Sequence, residues 1–101
     1  MLSIGDLINQ IKLYNPNADF DLIKKSYNYG FNAHKGQYRA SGEIYFTHPV
    51  QVAKIVIDLK LDESTIKTAL LHDTVEDTDS SLNQLEIVFG KEVSQLVDGV
   101  T

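Results

Sequence analysis

The chain has no cysteine. That absence excludes disulfide bonds, cysteine-ligated zinc and a thiol nucleophile, and it fits the expectation of a cytoplasmic protein. Long apolar runs are missing too. No stretch approaches the roughly 20 residues needed to cross a bilayer, so no membrane partner is expected. The opening residues, Met1-Leu2-Ser3-Ile4-Gly5-Asp6, lack the basic region and continuous apolar segment of a secretion signal. Positive charge becomes scarce toward the C-terminus. From Asp73 onward, Asp73, Glu76, Asp77, Asp79, Glu86, Glu92 and Asp98 face the single base Lys91, and the net charge is −5. Such a surface repels a phosphate backbone, so nucleic acid is not an expected partner, although a metal and a few local cations can still hold a small phosphorylated ligand. Strand-like alternation, internal repeats and low-complexity segments are nearly or wholly absent. What remains is at most one small domain of 101 residues, 43% apolar and 23% charged, sufficient for one core.

Helical spacing fills most of that length. Ser3 with Asp6 three residues on forms a capping signal before Ile4, Leu7, Ile8 and Ile11, and Asn15-Pro16-Asn17 ends the segment. Asp19 caps a second helix with Phe20, Ile23, Tyr27, Phe31 and His34 at steps of three or four. Gly30 interrupts this pattern at a cost of up to about 1 kcal/mol relative to alanine. Periodicity then vanishes from Lys35 to Thr47, a loop or loose hairpin with two glycines, two cations and three aromatics. Its Tyr, Arg and Lys side chains are of the kind that face a base and its phosphates. Thr47 or His48 caps a third helix, with Pro49 in its first turn and Val52, Ile55, Val56 and Leu59 as the expected buried stripe. Asp62 caps a fourth, whose inner face is Ile66, Ala69, Leu70 and Asp73. Ser81 with Gln84 opens another, carrying Leu82, Leu85, Val88 and Phe89 and stopped by Gly90 at a left-handed position. A last helix from about Lys91 has Val93, Leu96 and Val97 as its apolar residues. The expected class is all-α.

One stretch concentrates chemistry: Leu70-Leu71-His72-Asp73-Thr74-Val75-Glu76-Asp77-Thr78, with a second histidine, His48, 24 residues upstream. Imidazole and carboxylate together hold catalytic divalent metals, and a further carboxylate that binds no metal can move a proton to or from attacking water. Each residue also has a bland reading. His34 on an apolar face fits a core histidine with a satisfied hydrogen bond; His48 fits a helix start; the carboxylates fit a solvated acidic turn; Arg39 fits a solvent-facing loop. The acidic-turn reading is strained by Asp73, which falls on the inward stripe, where an unpaired carboxylate is costly.

From about Phe20 to Thr101 the sequence resembles the N-terminal hydrolase domain of the RelA/SpoT homologue family, which makes and breaks the alarmone (p)ppGpp. The resemblance is carried by Ala33-His34-Lys35-Gly36-Gln37-Tyr38-Arg39, Ser41-Gly42-Glu43, Tyr45, Thr47-His48-Pro49, the Leu70–Thr78 stretch, Phe89-Gly90 and Val97-Asp98-Gly99-Val100-Thr101. It implies an HD-domain helical bundle of about five to six helices, with an irregular loop between the second and third. It also implies that His48, His72 and Asp73 ligate Mn²⁺ and that Glu76 and Asp77 activate or position the attacking water. Lys35, Arg39 and Ser41 would line the pocket for the guanine nucleotide. The implied reaction removes the 3′-pyrophosphate of (p)ppGpp to give GDP or GTP and pyrophosphate.

Three departures from the family pattern accompany the match. Ala40 stands where a second basic residue is usual, and Ile44 replaces a proline. The family also takes a further metal-binding aspartate from a helix well beyond Val97–Thr101, so residues 1–101 are expected to form a partial hydrolase domain without a synthetase domain. An open three-ligand site binds metal more weakly, and uncovered apolar surface favours self-association. Two alternatives therefore stay open beside hydrolysis of (p)ppGpp. One is a catalytically impaired fragment that binds nucleotide or assembles with a partner chain; the other is a different HD-type nucleotide phosphohydrolase.

Overall fold

The computed structural model describes all 101 residues, and every regular element in it is helical. Helices α1 (Ile4–Lys12), α2 (Phe20–Ala33), α3 (Thr47–Asp58) and α4 (Glu63–Leu71) are followed by a single turn, α5 (Thr74–Asp77), and by α6 (Leu82–Phe89) and α7 (Lys91–Val100). The all-α class read from the sequence is what the chain adopts.

Most starts are set by local side-chain chemistry. Ser3 accepts from the Asp6 amide while the Asp6 carboxylate accepts from the Ser3 amide, and Ser81 and Gln84 exchange the same pair of bonds. Asp19 and Asp62 cap α2 and α4 by accepting from the amides of Leu22 and Thr65. The start of α3 differs from expectation. Its cap is Phe46, which makes no side-chain capping bond and is instead buried, with the rings of Tyr27 and Phe31 near-perpendicular to its own at centroid distances of 5.1 and 6.1 Å. Packing, rather than a cap, sets where His48 begins. Gly90 does end α6 at positive φ, +96° with ψ 167°, an extended conformation outside the left-handed helical well.

α4 is the axis of the bundle. All six residues from Ile66 to Leu71 are buried, so this helix is covered on every side. Ile66, Ala69 and Leu70 pack with Leu7, Ile11, Ile23, Tyr27, Phe46, Val50, Ala53 and Ile57 from α1 to α3. Leu71 faces the other way, into a smaller cluster with Leu85, Phe89, Val93 and Val97 of α6 and α7. Burial of each such side chain stabilises by roughly 1.5–3 kcal/mol, so the C-terminal end of α4 is held from both sides. Gly30 permits the close approach of α2: a Cβ there would meet Phe46 Cε1 at 2.5 Å and the Leu70 carbonyl at 2.7 Å. A feature that weakens α2 as a helix is what lets it lie against α4.

The face that α3 buries is rotated from the expected stripe. Val50, Ala53 and Ile57 are in the core and Val52 and Val56 are half-buried, whereas Ile55 and Leu59 are exposed. α3 is apolar on nearly every side, so spacing alone could not select the inner face.

Candidate metal centre

α4 ends at Leu71 with His72 as its C-terminal cap, so His72 and Asp73 emerge together where the buried helix stops. The His72 Nδ1–H donates to the Ala69 carbonyl at 2.6 Å. A carbonyl can only accept, so in the neutral ring the proton sits on Nδ1 and Nε2 carries a lone pair. That Nε2 lies 3.2 Å from Asp73 Oδ2. The packed start of α3 brings His48 to the same point, with Nε2 3.6 Å from Asp73 Oδ2 and the two imidazole centroids 5.5 Å apart.

The donor atoms of His48, His72 and Asp73 all lie within 4.8 Å of one another. Ligands about 2 Å from a shared ion stand roughly 3–4 Å apart, so the spacing fits a divalent cation. The chemistry fits as well. A lone pair on His72 Nε2 facing a carboxylate oxygen at 3.2 Å is repulsive unless positive charge lies between them. Both side chains are largely shielded from water, while His48 keeps 38% of its side-chain surface exposed, which leaves an approach from solvent.

The acidic pair sits on α5. Asp77 joins the cluster through Tyr45, whose hydroxyl donates to Asp73 Oδ2 at 2.7 Å and lies 3.2 Å from Asp77 Oδ2. Burial first, and then the hydrogen bond to Asp73 and the two carboxylate charges, push the Tyr45 hydroxyl far above the ordinary tyrosine range, so it stays protonated and donates. Glu76 is exposed on the same turn. The turn is held by Thr74 Oγ1 on the Leu71 carbonyl, by Thr78 Oγ1 on the Thr74 carbonyl, and by the Tyr29 hydroxyl on Ser80 Oγ.

Residues 35–46 form a narrow hairpin with one bridge, Tyr38 to Ile44, and positive φ at Gly36 and Gly42. Arg39 Nη1 donates to Gln51 Oε1 of α3 at 3.1 Å, Ser41 Oγ donates to Glu43 at 3.2 Å, and Lys35 is exposed. Lys35 lines a small cavity of about 140 Å³ with Phe31, His34, Gln37 and Phe46. Thus His48, His72, Asp73 and Asp77 are drawn together, whereas Lys35, Arg39 and Ser41 lie along the hairpin without contacting them. Neither Tyr45 nor Gln37 was assigned a role from the sequence, although both stand among the residues that carry the family resemblance. His34 is buried as a core histidine, but only its Nδ1 is satisfied, by Gln37 Oε1 at 3.0 Å; Nε2 has no partner.

Comparison with known proteins follows the same outline. The family model described as an HD domain matches residues 26–101. A GTP pyrophosphokinase of Myxococcus xanthus is 53% identical over 91 residues, which is 90% of this chain and 12% of that protein. The GTP pyrophosphokinase rsh of Brucella melitensis is 44% identical over 101 residues, all of this chain and 14% of the relative. The bifunctional (p)ppGpp synthase/hydrolase SpoT of Escherichia coli is 45% identical over 95 residues, 93% of this chain and 14% of that one. The chain therefore spans only 12–14% of the length of these relatives. A solved structure of a metazoan orthologue of SpoT that hydrolyses ppGpp superposes with a TM-score of 0.76 at 34% identity, covering 79% of this chain and 47% of the other. By its matching residues, its bundle and its relatives, this chain belongs to the HD-domain family and is a homologue of the RelA/SpoT enzymes.

Proposed function

We propose that the chain is a metal-dependent phosphohydrolase domain that removes the 3′-pyrophosphate of (p)ppGpp. The observation that carries this reading is the convergence of His48 Nε2, His72 Nε2 and the Asp73 carboxylate beside a turn of further carboxylates. The substrate comes from the relatives, since SpoT of Escherichia coli is a (p)ppGpp synthase/hydrolase and the metazoan orthologue hydrolyses ppGpp. His48, His72 and Asp73 would hold Mn²⁺, which when bound lowers the pKa of coordinated water and offsets charge at phosphorus.

The chain's own groups do the rest. Asp77 and Glu76 take the proton from the attacking water, with Asp77 placed by Tyr45 one hydroxyl away from Asp73. The water oxygen bonds to the phosphorus carried on the 3′-oxygen, that P–O bond breaks, and the 3′-oxygen leaves with the proton that the carboxylate pair took from water. Pyrophosphate and GDP or GTP are the products. Lys35, Arg39 and Ser41 on the hairpin bind the nucleotide; the Arg39 guanidinium is tethered to Gln51 with its remaining donors available for phosphate or a base face. Exposed Ile55 and Leu59 on α3 give a second copy or a further helix an apolar face to cover.

The test is to incubate purified protein with ppGpp and Mn²⁺ and resolve the products. GDP and pyrophosphate in equal amounts are expected. Intact ppGpp alongside consumption of other nucleotides would point to a different HD-type phosphohydrolase. Binding of ppGpp without turnover would identify an impaired fragment.

A further inference from the structure

The mechanism above leaves one buried group without a task. His34 is 2% exposed at the end of α2, and its Nδ1 meets Gln37 Oε1 at 3.0 Å. The same Gln37 side chain reaches Asp77, 40 positions away, and donates from Nε2 to the Asp77 backbone carbonyl at 2.6 Å. A backbone carbonyl only accepts, so the amide nitrogen of Gln37 must face Asp77 and its oxygen must face His34. His34 Nδ1 is then the donor. The polarity of the whole chain, His34 to Gln37 to Asp77, is fixed from one end.

The two other ties between hairpin and acidic turn run through side-chain carboxylates, both from the Tyr45 hydroxyl. Gln37 is different, because it holds the backbone that carries Asp77. His34 in turn is locked in place, with its ring centroid 4.8 Å from that of Tyr45 and 6.4 Å from that of Phe46. The packing of the Tyr45 ring and the orientation of the Gln37 amide thus depend on the same imidazole.

We infer that Gln37 is a positioning residue that sets the acidic turn against the metal cluster, with His34 as the buried donor that fixes its amide. This rests on the hydrolase reading for its kinetic consequence, but not for its structural one. A loosened turn would displace Asp77 from attacking water while leaving the three metal-holding side chains and the hairpin cations in place. The loss therefore falls on the chemical step.

Gln37→Leu, His34→Leu and His34→Asn test it. Asn places its amide nitrogen where histidine places Nδ1, so His34→Asn keeps the donor that His34→Leu deletes. Two readouts are taken: hydrogen exchange at the Asp77 and Thr78 amides, which bond to the carbonyls of Asp73 and Thr74, and steady-state kinetics on ppGpp with Mn²⁺. Gln37→Leu and His34→Leu should speed exchange at those amides by about tenfold or more, with α1 and α3 unchanged. Both should lower kcat by roughly tenfold to a hundredfold while KM stays within about twofold. His34→Asn should stay close to wild type in both. Unchanged exchange in Gln37→Leu, or a His34→Asn variant as impaired as His34→Leu, would overturn the inference. If wild-type protein leaves ppGpp intact, the hydrolase reading fails, and the exchange measurement still decides the positioning role.

Discussion

Nε2 of His72 stands 3.2 Å from Oδ2 of Asp73, while Nδ1 of the same ring is occupied by the Ala69 carbonyl. Two neighbours in sequence at the end of a buried helix thus turn a ring nitrogen and a carboxylate oxygen toward one gap. Such an arrangement is stable with a cation in the gap, and His48 Nε2 at 3.6 Å supplies the third side.

Metal binding should therefore stabilise the fold. At Mn²⁺ concentrations about 100-fold above Kd the gain is about 2.7 kcal/mol, readable as an upward shift in Tm. His48→Ala and Asp73→Asn should each weaken Mn²⁺ binding by tenfold or more in calorimetry and abolish most of that shift. Affinity should also fall on acidification, since protons compete for the imidazoles of His48 and His72. Variants that bind Mn²⁺ as the wild type does would remove these residues from the ligand set.

Glu76 and Asp77 should behave differently. Glu76→Gln and Asp77→Asn are expected to keep Mn²⁺ affinity within a few-fold and to lower kcat on ppGpp by roughly 10²–10⁴ where the residue is the proton acceptor. Asp77→Asn should be the more severe, because Asp77 and not Glu76 shares the Tyr45 hydroxyl with Asp73.

Gly30→Ala separates helix propensity from packing. In an isolated helix the change should help by up to about 1 kcal/mol. Here the added Cβ would lie 2.7 Å from the Leu70 carbonyl, which belongs to the axial helix and cannot swing aside. Urea unfolding should show a net loss of roughly 1–3 kcal/mol. A gain in stability would mean that α2 and α4 are less closely apposed.

Asp62 contributes to the dependence of stability on acid pH. Hydrogen bonds from the Thr65 hydroxyl and then the Thr65 amide hold its carboxyl below the usual carboxylate range. A lowered pKa means that its contribution is present above the unfolded value, about pH 4, and is lost as pH falls through the lower folded value. Asp62→Ala should cost about 1 kcal/mol at neutral pH. Asp62→Asn should keep most of the cap yet flatten the acid limb of the stability curve. An acid limb unchanged in Asp62→Asn would assign that limb to other carboxylates.

The same residues show how much of this was legible in the sequence. Caps at Ser3, Asp19, Asp62 and Ser81 could be read because donor and acceptor lie three positions apart. The grouping of His72 with Asp73 was legible for the same reason. The bonds of Tyr45 to Asp73 and of Gln37 to Asp77 were not, since they span 28 and 40 positions and depend on how the hairpin folds back. The inner face of α3 was misread because Ile55 and Leu59 are as apolar as Val50 and Ile57, so burial there is decided by neighbouring helices. Gly30 looked like a flaw in α2 until its neighbour across the interface was known.

The most direct test is anomalous scattering from crystals of the protein grown with Mn²⁺. One peak should lie within bonding distance of His48 Nε2, His72 Nε2 and the Asp73 carboxylate together, with Asp77 nearby but not bound. A peak held by Glu76 and Asp77 alone, or no peak between the two imidazoles, would contradict the metal centre and the hydrolase built on it.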